Sequence, residues 1–297
     1  MRRIKPYQAV ALTAVILTIA LPASAWLARG HTLMSKASVA LVAGDLPEFF
    51  SLPESARAIA DASVEADALR DMGEVALRNV EAPNHYWASE LLTDWKLPAD
   101  RIAFYRLCQE KNLTPSKTGT LYYTLLESLA RLEVAFAQHR RWPEDPGAKA
   151  RCLVYAGYLA HFAQDLNMPL HTTIHHDGRT KPDGSSPRTG IHFRMDDLPG
   201  RLDLDWNDVI TDLHPQVMEN PGKAILAQIA ASNALVDRVY ELNDQLPKRD
   251  EEGWTPTPEI RELGLELPRR RQLHRVALAH GLAPLRGDRR PHATLAQ

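Results

Sequence analysis

The sequence predicts an all-α protein, a single multi-helical domain that follows a cleaved signal peptide. Three observations predict it. Apolar residues recur at helical spacing almost throughout the chain, no stretch alternates apolar and polar side chains as a half-buried strand would, and prolines stand at the borders of the periodic stretches. The chain has 297 residues, enough after removal of a leader for one large domain with a sizeable core.

The elements follow in chain order. Arg2, Arg3 and Lys5 precede the apolar run Ala9 to Leu21, then Pro22 and Ala23-Ser24-Ala25, an A-x-A cleavage pattern. This is a secretory signal peptide over residues 1–25, and its apolar run is too short for a comfortable membrane span. A secreted or periplasmic protein is therefore expected, without a transmembrane span in the mature chain, which would start at Trp26. Residues 26–285 form the domain. A helix is predicted from near His31 through residue 43, then short amphipathic helices over 46–50 and 52–71, each entered by a proline. Helices over 98–112 and 116–141 follow, the latter closing on basic residues that suit a helix C-terminus. Residues 145–166 form a helix that stops before Pro169. Residues 172–190, rich in Gly, Pro, Ser and Thr, read as a loop. Residues 224–246 read as a helix, 248–258 as a charged connector, 269–285 as a last helix and 286–297 as a frayed tail. No internal repeat is visible.

The candidate chemistry lies in two blocks, His161-x3-Asp165-x5-His171 and His192-x3-Asp196. Imidazole nitrogen and carboxylate oxygen suit a borderline cation such as zinc, and a spacing of four puts His and Asp on one helix face. One such pair is commonly a solvated helix face; two in one chain, the first followed by a proline and a third ligand type, favour a metal site. Cleavage after Ala25 would add a free amine at Trp26, which with a pKa of roughly 7.7–8.0 can ligate a metal at neutral pH, five residues before His31.

The mature Trp26 start, the nearby His31 and the two blocks resemble the zinc-dependent phospholipase C and P-one (S-one type) nuclease superfamily, and the resemblance runs from Trp26 to Asp196. It implies a mostly helical domain with three zinc ions. It also implies an Asp and a His about fourteen residues apart upstream of the main block, a place that Asp71 and His85 fit. On that pattern one zinc is held by Asp71, His85, His161 and Asp165, a second by His171, His192 and Asp196, and a third by Trp26, His31 and the second oxygen of Asp165. Asp71 is by the same analogy the group that orients or deprotonates the attacking water. Asn167 resembles the phospholipases, whereas the Trp26–His31 spacing and Asp196 resemble the nucleases. His175 and His176 read as loop histidines. Tyr86 and Trp87 beside His85 could line a substrate channel but read more simply as core.

The whole-chain charge of −2 falls to about −5 without the leader's three cations, so this is not a basic nucleic-acid coat. Cys108 and Cys152 either pair or stand as separate core thiols. No P-loop, G-x-S-x-G or C-x-x-C occurs. The expectation is a monomeric zinc-dependent hydrolase of phosphate esters acting on single-stranded nucleic acid or nucleotides, alternatively on phospholipid head groups. A non-enzymatic periplasmic zinc-binding protein is the lesser alternative.

Overall fold

A computed structural model describes residues 25–42, 44–210, 218–249 and 251–269. Among these residues every regular element is helical, as expected, and the β contacts are two isolated bridges, Trp87 with Gly119 and His176 with Gly178. No helix among them is long and apolar enough to cross a membrane. The leader to residue 24 and the helix and tail expected beyond residue 269 lie outside the described residues.

Four helices make the main body: α1 (Ala25–Val42), α2 (Pro53–Met72), α6 (Leu121–Arg141) and α7 (Pro146–Asp165). α7 is the central one and packs on both α2 and α6, while α1 lies on α2. Its start is fixed by Asp145, whose carboxylate accepts from the amides of Gly147 and Ala148, with Pro146 at the first helical position. Its second half is almost wholly buried, Ala156 through Asp165 including His161, Gln164 and Asp165. α2 approaches α7 so closely at Gly157 that an added Cβ would stand 2.5 Å from the Ala62 Cβ and 2.6 Å from the Ile59 carbonyl oxygen.

Around this body lie α3 (Val75–Glu81), α4 (Arg101–Glu110), α5 (Pro115–Thr118), α8 (Ile191–Arg201), α9 (Trp206–Ile210), α10 (Pro221–Asn233), α11 (Val236–Glu241) and α12 (Pro258–Arg269). Among the described residues two large apolar clusters, with a small third of Met34, Ala37 and Val209, fill the interior. One joins Phe50, Ile59, Phe104, Leu132, Phe136 and Leu159; the other joins Met168, Leu170, Ile191, Met195, Val239 and Ile260. Leu166 belongs to the first and Met168 to the second, so the chain crosses from one core to the other just after Asp165.

Several boundaries differ from the sequence expectation. α1 begins at Ala25, well before His31. The helix expected over 116–141 is interrupted at Gly119, which has φ +73° and passes the Tyr86 carbonyl so closely that a Cβ there would lie 1.9 Å from its oxygen. The helix expected over 224–246 breaks at Ala234 and Leu235 into α10 and α11. α3, α9 and α12 were not anticipated. Cys108 and Cys152 are both free and buried, which resolves the open alternative in favour of two core thiols.

Candidate metal centre

Five side chains from four elements converge at the seam between the two cores. α1 brings His31, α2 brings Asp67, the 3-10 turn Ala82–His85 brings His85, and α7 brings His161 and Asp165. The His85 Nδ1 lies 2.9 Å from Asp165 Oδ2 and 3.0 Å from His161 Nε2. His161 Nε2 stands 3.2 Å from Asp165 Oδ2 and 3.9 Å from Asp67 Oδ1. The His31 Nε2 is 3.7 Å from Asp67 Oδ2 and 3.9 Å from Asp165 Oδ1. All five side chains are buried. A second group joins His171, which follows the crossing segment, to His192 and Asp196 on α8. Asp196 lies 3.7 Å from His171 and 3.2 Å from His192. The two groups touch through Asp165, 3.9 Å from His171 Nδ1.

The orientation of the imidazoles is the telling feature. The Nδ1 of His31 meets Gln164 Oε1, that of His161 the Ser63 carbonyl, that of His171 the His85 carbonyl, and that of His192 the His176 carbonyl. An oxygen acceptor at Nδ1 places the ring proton there and leaves the lone pair on Nε2. In each of the four rings that Nε2 faces an aspartate oxygen. Acceptor facing acceptor in a buried site is repulsive unless a cation lies between, either a proton or a metal ion. The Nε2 of His85 is buried with no partner, a further sign that these polar groups are not satisfied by one another alone.

Electrostatics point the same way. Burial, reinforced by the facing His161, pushes His31 down to about 4, against the pull of Asp165 and Asp67, so this ring is neutral at pH 7. Burial would lower His171 too, but Asp165 and Asp196 outweigh it and push it up to about 9. Burial opposes ionisation of Asp165, yet His161 and His171 hold it well below the usual carboxylate range. The proton that His171 holds toward Asp196 stands where a divalent cation would bind, and binding one would release it.

The structure brings together His31, His85, His161, Asp165, His171, His192 and Asp196, and places Asp67 rather than Asp71 beside them. Asp71 is exposed near the end of α2, held by Arg70 Nε at 2.8 Å. Asp67, one turn earlier and 6% exposed, occupies the expected carboxylate position, with Arg70 Nη1 at 2.9 Å. Trp26 lies in the first turn of α1, and the placement of its side chain lies outside the described residues. His175 and His176 sit on the loop between the blocks and belong to neither ligand group, although the His176 carbonyl meets His192 Nδ1. Trp87 is core, stacked 5.6 Å from Phe104, whereas Tyr86 is half-buried on the wall of a cleft.

That cleft, about 620 Å³, is lined at its base by His85, His171 and His192. Arg70 and Lys117 supply its cations, and Tyr86, Leu91, Leu113 and Ile174 its apolar walls. Sequence reading missed Asp67, Arg70 and Gln164. The available signal for Asp67 was its place in line with Ser55, Ile59, Ser63 and Ala66, the buried face of α2, where a carboxylate is buried rather than solvated. No protein-family profile, curated protein or solved structure matches this chain.

Proposed function

We propose that this chain is a secreted or periplasmic zinc-dependent hydrolase of phosphate esters, of the zinc phospholipase C and P-one/S-one nuclease type, with single-stranded nucleic acid or nucleotides as the favoured substrates. The observation that carries the metal assignment is the set of four histidines whose Nδ1 atoms rest on oxygen acceptors while their Nε2 atoms face aspartate carboxylates. Three imidazoles with two carboxylates, and two imidazoles with one, are donor sets that zinc accepts, and the smaller set leaves a position for water. Zinc held there would supply Lewis acidity and a bound water acidified to a pKa near ~7.

The protein's own residues then divide the work. Asp67, rather than Asp71, is the carboxylate placed to ligate and to orient the attacking water. Arg70 lines the cleft beside it and offers a cation to phosphate oxygens, with Lys117 also lining the cleft. Tyr86 offers a ring face to a base. The open cleft argues against a purely structural or storage role, which would close each site with four protein ligands.

Two observations favour phospholipid as the second reading. The cleft walls are largely apolar, and beyond Arg70 the α2–α3 corner exposes Met72, Val75 and Val80 at 82%, 64% and 60%. The deciding experiment is a panel of single-stranded DNA and RNA, mononucleotides and phosphatidylcholine vesicles. Hydrolysis of a phosphate ester should occur, disappear on chelation and return with zinc. Activity indifferent to chelation, or absent on the whole panel with zinc-loaded protein, would overturn the proposal.

A further inference from the structure

Resting on the metal reading above, the geometry assigns to Arg101 and Asn84 a role remote from the cleft: they are positioning residues that hold His85 in ligating orientation. Arg101 opens α4 and reaches behind the turn that carries His85. Its five N–H donors are all placed. Nε and Nη2 grip Glu127 at 2.8 and 3.0 Å, Nη1 donates to Asn84 Oδ1 at 2.6 Å and Thr120 Oγ1 at 3.0 Å, and Nη2 donates to Thr124 Oγ1 at 2.9 Å. Asn84 Oδ1 also accepts the hydroxyls of Thr120 and Thr124, at 3.0 and 2.9 Å, and its Nδ2 donates to Glu81 at 3.0 Å. One side-chain oxygen therefore receives three donors from α4 and α6, and it belongs to the residue directly before His85.

Backbone bonds complete the clamp. The Thr120 amide donates to the Pro83 carbonyl at 2.7 Å, the Leu121 amide to the Tyr86 carbonyl at 3.2 Å, and the Trp87 amide to the His171 carbonyl at 2.8 Å. The turn needs it. Ala82–His85 is one short 3-10 turn without a side-chain cap, preceded by α3, which has no buried residue. From α3 only the Glu81 carboxylate reaches the turn, through Asn84 Nδ2, so its position is set chiefly from Arg101, Thr120 and Thr124. His85 also touches both ligand groups, through its Nδ1 to Asp165 and its carbonyl to the His171 ring. A guanidinium fork can satisfy this arrangement where an ammonium of equal charge cannot.

The test measures zinc affinity by chelator competition in a His192→Ala background, which removes a ligand from the second group. Arg101→Lys and Asn84→Ala should each weaken zinc at the His85 group by about 10- to 100-fold, the usual effect of removing support behind a ligand. Asn84→Asp, which keeps the three-way acceptor but turns an oxygen toward Glu81, should recover part of that loss. Leu132→Ala, in the buried core of α6, supplies a destabilised control. If it weakens zinc as much as Arg101→Lys at equal loss of Tm, the network serves fold stability alone and the assignment fails. Unchanged affinity in a folded Asn84→Ala or Arg101→Lys protein also overturns it, while leaving the metal reading intact. Wild-type protein that binds no zinc overturns both.

Discussion

Asp165 is within 4 Å of His31, His85, His161 and His171, so it is the side chain common to both ligand groups. Asp165→Asn should therefore lower zinc at more than one site, read as loss of at least half the zinc found in wild type by elemental analysis. His175→Ala should leave zinc content unchanged, since the His175 ring accepts only the Thr180 amide on its loop. Equal zinc in the two variants would remove Asp165 from its bridging place. A sharper comparison separates two acids one helical turn apart. Asp67→Asn should cost at least the 10- to 100-fold in zinc affinity typical of a lost supporting group, and Asp71→Asn only about 3-fold or less, because Asp71 reaches the site only through Arg70. The His and Asp of the two blocks were legible in the sequence because both members of each pair sit on one element and spacing alone places them. Asp67 was not, because its partners come from other helices. The count to His85 is lengthened by α3, a connection that spacing could not foresee. Gln164 looked like any polar residue beside Asp165, and only the approach of α1 shows that it fixes the His31 ring.

Elements bring these residues together only if α2 and α7 pack closely. Gly157 stands where they meet, four residues before His161. In an isolated helix Gly157→Ala would be favourable by about 1 kcal/mol. Here the new methyl would stand 2.5 Å from the Ala62 Cβ and 2.6 Å from the Ile59 carbonyl, and neither can swing away. Overpacking of this kind costs about 1–3 kcal/mol and should win. The variant should melt lower than wild type and lose zinc from the His161 group, as α2 carries Asp67 outward. A Tm equal to or above wild type would show that the helices have room to spare. The same packing explains which elements sequence could reveal. α2, α4 and α7 were visible because each has its own periodic apolar stripe and a Pro or Asp at its start. The division at Gly119 was hidden, since it arises from the Tyr86 carbonyl crossing that position rather than from any local preference against helix. α3 was hidden for the opposite reason: it buries nothing, so no stripe marks it.

At the scale of the molecule, the candidate centre ties α1, α2, α7, α8 and the His85 turn to one another, so metal should act as a cross-link between the two cores. Zinc at a thousandfold excess over its Kd would add about 4 kcal/mol, and at roughly 2–4 °C per kcal/mol for a domain of this size chelation should lower Tm by on the order of 10 °C. An unchanged Tm would show that the helices hold their arrangement without it. The same readout tests the expected mature start at Trp26. α1 begins at Ala25 and delivers His31 to within 3.9 Å of Asp165, and Trp26 lies about one and a half turns earlier on that helix. The first amides of a helix have no intrahelical acceptor, so a free amine at Trp26 would not compete with a helical bond. Cleavage after Ala25 would create that amine, and one retained residue before Trp26 would instead place the amine roughly 3.5 Å away. Metal–ligand distances tolerate only about 0.2 Å. Protein beginning at Trp26 should therefore hold one zinc more than a Met-extended form, with the His192 group filled in both and a higher Tm in the first. Equal zinc content and equal Tm in the two forms would mean that the amine is not a ligand, and that His31 and Asp165 meet without any contribution from the N-terminus.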